Sequence, residues 1–154
     1  MKIDEAMSTF VSGHVMIGLA TRDWAGQASI ARGVGVRVTD NGAGLDILIS
    51  GRQWRRSVEN LAANGALAST FSSPTDYITY QFKGHAELAA AGPADLVLAR
   101  SYIAGMRARL ADLGVPENVA AQWFSDEDLR CARLGIELAF VQTPGPRAGE
   151  VLAT

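Results

Sequence analysis

Between Ala28 and Ser50 two alternating apolar runs flank the pentapeptide Asp40-Asn41-Gly42-Ala43-Gly44. Asparagine and glycine tolerate the positive φ of a tight reversal, so the two runs are predicted to be antiparallel neighbours. An earlier run, His14 to Thr21, alternates Val15, Ile17 and Leu19 with smaller or polar residues and reaches Ala28 through a turn at Asp23 to Gly26. Three strands thus follow one another with no helix between them. A doubly wound parallel sheet needs a crossover of a dozen or more residues between strands, and this chain leaves no room for one.

The rest of the chain extends this pattern. Ala6, Met7, Phe10 and Val11 predict a short leading helix. Trp54, Val58, Leu61 and Ala62 form the stripe of an amphipathic helix that ends near Asn64-Gly65. Ala66 to Ser72 and Tyr77 to Leu88 alternate again as strands. Pro93 opens a longer helix marked by Leu96, Ala99, Ile103, Met106 and Leu110, and a shorter one follows Pro116. Ala132 to Phe140 is the last strand, with Ile136 and Leu138 on the same parity as Leu134. The expectation is one mainly β domain over residues 1–154. Its six antiparallel strands curl or close, and two helices are inserted around residues 93–124.

Composition narrows the classes of function. Apolar residues make up 48% and charged residues 19%, with a net charge of −2, so the broad basic surface of a nucleic-acid binder is missing. No apolar run approaches the roughly 20 residues that span a bilayer, and no signal-peptide pattern is present. A soluble cytoplasmic protein is expected, without nucleic-acid or membrane partners. One cysteine, Cys131, and two histidines fall short of a zinc cage, so no metal is expected.

The most informative stretch for chemistry is Ser50-Gly51-Arg52-Gln53-Trp54-Arg55-Arg56-Ser57, which gathers three arginines at a predicted helix start. Helix amides already present partial positive charge there, so each cation costs a few tenths of a kcal/mol, up to about 1. A bound anion reverses the sign of that term, and a phosphate is the natural candidate. The alternative is that the arginines pair with Glu59 and nearby carboxylates. Arg32 shares parity with Ile30, Val34, Val36 and Val38, so a regular strand turns it toward the apolar face, where it needs a partner. Gly33 and Gly35 leave bare backbone for a flat ligand, or else mark a bulge that rotates Arg32 outward.

Ala31-Arg32-Gly33-Val34-Gly35-Val36-Arg37, the hairpin, Ser50 through Ser57, and Tyr77-Ile78-Thr79-Tyr80-Gln81-Phe82-Lys83-Gly84 together resemble the pyridoxamine 5′-phosphate oxidase-like flavoproteins. The resemblance covers about residues 8 to 90 and implies a six-stranded antiparallel split β-barrel of the FMN-binding type. It places the family's FMN-contacting arginine on Arg32, with its following base on Arg37, and sets Gly33 and Val34 beside the flavin ring. The hydroxyl ending the third strand matches Ser50. The family's phosphate clasp matches Arg55-Arg56, or Arg56-Ser57 if Leu61 and Asn64 anchor the alignment. Gln81, or Thr79 in another register, stands for a glutamine that reaches the flavin. Similar proteins are homodimers with the cofactor between subunits.

One departure is marked. The true oxidase closes its substrate site with a C-terminal Arg-x-His segment, whereas no histidine follows His85 here and Arg147 stands alone. The resemblance therefore implies an FMN-dependent oxidoreductase acting on some other small molecule or electron acceptor. No side chain stands out as a general acid or base, which suits a flavin that carries the chemistry, and the catalytic residues stay unassigned. A non-catalytic flavin carrier or sensor fits the same residues, as does a barrel that holds haem or a deazaflavin. For haem, His14 or His85 would serve as axial ligand.

Overall fold

A computed structural model describes residues 1–152. Its elements run α1 (Glu5–Val11), β1 (Met16–Arg22), β2 (Ala28–Thr39), β3 (Gly44–Ser50), α2 (Arg55–Asn64), β4 (Ala66–Ser72), β5 (Thr79–Ala90), α3 (Pro93–Asp112), α4 (Glu117–Ala120) and β6 (Leu129–Val141). The strands close into a barrel in the order β1-β2-β3-β6-β5-β4, and every neighbouring pair is antiparallel. No helix among the described residues is long and apolar enough to cross a membrane.

Alternation explains the barrel interior. Ile17 and Leu19 of β1, Leu45, Ile47 and Ile49 of β3, Phe71 of β4 and Phe82 of β5 are all buried. The Phe71 and Phe82 rings meet edge to face at 5.7 Å. The β2–β3 hairpin turns through Asp40, Asn41 and Gly42, all with positive φ, as its composition demands.

Two bulges break the predicted parity. In β2 the pairing steps from Gly33↔Ile49 to Val36↔Ile47, so one extra residue is inserted on the β2 side. Gly33 consequently faces the interior, where an added Cβ would lie 2.6 Å from Ile17 Cγ2, while Ile30 is 68% exposed. The expectation that Arg32 turns inward with Ile30 is corrected here; both lie on the outer side of the sheet. In β6 the pairing steps from Lys83↔Leu138 to Gly84↔Ile136, which leaves Glu137 as the extra residue. Leu138 is therefore outward and exposed, and Ala139 takes the buried place.

Helices occupy the outside and one end of the barrel. α2 buries Leu61, and Asn60 Nδ2 donates to Thr21 Oγ1 at 3.1 Å in the interior. α3 lies against β2 and β3, with Leu98 and Ala99 filling the space beside Gly35 and Leu48. Arg37 Nη2 meets Asp95 Oδ1 at 2.5 Å and fastens the start of α3 to β2. Tyr102, a residue outside the predicted apolar stripe, is buried and donates to Val15 O at 2.6 Å. Ser125 to Asp128 forms the approach to β6, with Ser125 Oγ accepting from Glu127 N.

Candidate functional site

The loop from β3 to α2 is built around two small residues. Ser50 is buried; its hydroxyl donates to Glu127 O at 2.7 Å and accepts from Gln53 N at 3.2 Å. Gly51 N donates to Asp128 O, and an added Cβ there would stand 2.5 Å from the Asp128 carboxylate. This anchoring fixes where α2 begins. Trp54 is its N-cap, makes no side-chain capping bond, and no acidic residue lies in the first turn. The first amides of α2 are thus left without a side-chain cap among the described residues.

Three guanidinium groups surround that end. Arg52 Nε lies 3.1 Å from Glu127 Oε2, Arg55 Nε 3.2 Å from Glu59 Oε1, and Arg56 Nη2 3.4 Å from Asp23 Oδ2. All three side chains are at least 60% exposed. Pairs of this kind contribute only about 0–1 kcal/mol, so an incoming anion displaces them at small cost. The helix separates its first residues: Arg56 turns to the β1–β2 turn and Ser57 is buried. Arg55 joins Arg52, Arg130, Glu59 and Asp128 around a cleft of about 640 Å³.

Arg32 lies at a second centre. Its half-buried guanidinium stands 4.8 Å from the centre of the Trp123 ring and has no carboxylate partner among the described residues. Strand pairing places Arg32 opposite Gly18, Gly18 opposite Thr70, and Thr70 opposite Gln81. Arg32 and Gln81 are therefore joined by one outward row of paired residues across four strands, whose ends lie on opposite sides of the closed barrel because β2 and β5 are three places apart in its six-stranded ring. Gly18 keeps the middle of that row low, and Gln81 Nε2 donates to Thr70 Oγ1 at 3.1 Å. Gly33 and Val34, matched to the flavin ring, are buried in the single chain. Arg37 is held by Asp95 rather than free at the site.

A link joins the two centres. Gln53 Nε2, just before α2, donates to Gln122 O at 2.9 Å, and Trp123 follows in the same 3₁₀ turn. Gln53 Oε1 and Trp54 Nε1 are buried beside this link without partners among the described residues. Each such orphan costs about 1–3 kcal/mol, so this region is short of one donor and one acceptor. Sequence reading singled out Arg32 but not Gln53 or Gln122. Their role depends on a contact between residues far apart in the chain, which no local pattern signals.

No protein-family model matches the chain, and no curated protein matches it. Solved structures do. HupZ of Group A Streptococcus shares 19% identity and superposes with a TM-score of 0.58 over 96% of this chain and 99% of its own. A candidate pyridoxamine 5′-phosphate oxidase of Lactobacillus delbrueckii shares 14%, with a TM-score of 0.57 over 91% and 94%. The chain has the pyridoxamine 5′-phosphate oxidase-like split-barrel fold. HutZ, the heme storage protein of Vibrio cholerae, matches this split barrel at 20% identity and a TM-score of 0.52 over 92% and 95%.

Proposed function

We propose that this split barrel is a homodimeric FMN-binding flavoprotein and, in its working form, an oxidoreductase. The observation that carries the reading is the start of α2, an uncapped helix end with no acidic residue in its first turn, ringed by Arg52, Arg55 and Arg56 and by the exchangeable partners Glu127, Glu59 and Asp23. A doubly negative phosphate ester answers both the free amides and the guanidinium groups. Ser50 holds the loop from which the clasp grows, through its bonds to Glu127 O and Gln53 N. Arg32, unpaired over Trp123, offers a second cation, and the orphaned Gln53 and Trp54 atoms offer hydrogen bonds that a polar ring satisfies.

Bound FMN supplies hydride or single-electron transfer. The chain's own residues bind and orient it. The partner subunit is expected to cover part of the barrel's outer face, where Ile30 of β2 and Leu138 of β6 are left exposed.

The ion pairs of Arg52, Arg55 and Arg56 favour a second reading, a barrel in which these arginines are only structural fasteners. Titration with FMN and with riboflavin separates the two. Phosphate recognition requires FMN to bind at least about tenfold more tightly than riboflavin. Equal affinities, or a colourless protein that ignores both, leave the fastener reading standing. A purified protein with the absorption of haem in place of flavin removes the FMN proposal. Steady turnover of a nicotinamide with an electron acceptor distinguishes the enzyme from a flavin carrier.

A further inference from the structure

The opposite end of α2 carries an independent feature. Trp24, in the turn between β1 and β2, is 75% exposed, the largest exposure among the big apolar side chains described. It stands over a cleft of about 580 Å³ formed with the last turn of α2 and with His85, Glu87 and Leu88 of β5. Among the described residues no lysine or arginine lines this cleft, and His85 is its one basic side chain. Glu87 makes no ion pair among the described residues, and Arg133, its cross-strand neighbour, forms none with it.

The backbone adds to the same polarity. α2 ends at Asn64 with Gly65 in the left-handed region at φ +67, and Gly65 N returns to Leu61 O. The carbonyls of Ala62, Ala63 and Asn64 are then the last of the helix, where the macrodipole is negative. A side chain at position 65 would collide with the His85 ring, whose Cε1 would lie 2.4 Å from the added Cβ. Glycine there both ends the helix and lets the imidazole form a wall of the cleft.

A carboxylate, carbonyl oxygens at a helix C-terminus and an open indole face share one preference. Each attracts a positive charge, and the Trp24 and Leu88 walls favour an apolar body attached to it. We propose that this cleft binds a small organic cation, an alkyl- or aralkyl-ammonium ion, with its ammonium toward Glu87 and the end of α2 and its apolar part against Trp24. Ten residues of helix, about 15 Å, separate it from the amides at the start of α2, although Arg56 reaches the turn that carries Trp24 through its pair with Asp23.

Phenethylammonium chloride is the probe, with phenylpropionate and phenethyl alcohol as anionic and neutral counterparts of similar shape. Titration of the whole protein is followed by tryptophan fluorescence and by calorimetry. The expected result is saturable binding of the ammonium below about 10 mM, with binding of the alcohol and the acid weaker by about threefold or more. Trp24→Ala and Glu87→Gln are each expected to lower the affinity by about threefold, with circular dichroism unchanged. Equal binding of all three compounds, absence of saturation, or unaltered affinity in Glu87→Gln overturns the proposal. The ligand comparison needs no variant, so a misfolded mutant does not blunt the test.

Discussion

The guanidinium of Arg32 lies 4.8 Å from the centre of the Trp123 ring, across 91 positions of sequence. The contact ties the segment between α4 and β6 to the outer face of β2. A cation held over an indole without a carboxylate keeps its charge available to a ligand. Trp123→Ala is expected to lower stability by about 1 kcal/mol, with Trp123→Phe losing less, as read from urea midpoints. Identical midpoints for all three proteins would show that the stacking contributes nothing.

Replacing Arg55 and Arg56 together by alanine is expected to weaken FMN binding at least about tenfold while leaving the melting temperature nearly unchanged. The two effects part because both guanidinium groups are solvent-exposed in their pairs with Glu59 and Asp23, whereas a phosphate would engage both cations with the helix amides. Fluorescence titration of FMN beside a thermal melt checks both halves. Undiminished affinity in the double variant removes the clasp assignment.

Gly84 sits where β5 and β6 change register, and a Cβ there would fall inside the van der Waals shell of Gly135 O. Gly84→Ala must push the two strands apart at the bulge. A loss of about 1–3 kcal/mol is expected, measured by chemical denaturation. Gly135→Ala, at a strand position with only one neighbour near the added carbon, is the control and changes stability far less.

Burial pushes the Cys131 thiol up from 9.0 to about 11, helped by the nearby charges of Asp46 and Asp95. The unfolded chain loses this proton first, so above the unfolded value the native state binds more protons. The contribution to stability is full below about pH 9 and is lost as pH rises from 9.0 towards about 11. Cys131→Ala should flatten that part of the stability curve relative to the parent. The native thiol should also resist a disulfide reagent at about pH 8 and react once the protein is unfolded.

Strands without irregularities were legible from alternation alone: β4 runs from Ala66 to Ser72, as its pattern predicts. Alternation failed where a single inserted residue reversed the facing. The Gly33–Gly35 pair in β2 signalled a possible bulge, but nothing in β6 marked Glu137 as the extra residue, so Leu138 was expected inside. Tyr102 was missed because its ring is apolar and buried while its hydroxyl needs Val15 O, a requirement the helix pattern does not express. The cationic helix start was readable from composition. The row joining Arg32 to Gln81 was not, since it exists only once four strands have settled into register.

β6 is hydrogen-bonded to β3 on one side and to β5 on the other, and only it closes the ring. A nascent chain has finished β5 at Ala90 but must still emerge as far as Val141 before closure. At ordinary elongation rates that interval lasts on the order of several seconds, during which the unpaired rims of β3 and β5 stand open. Ribosome-bound intermediates arrested between these points should therefore recruit chaperones and stick to one another, a hazard that ends when the thirteenth residue of the final strand is released.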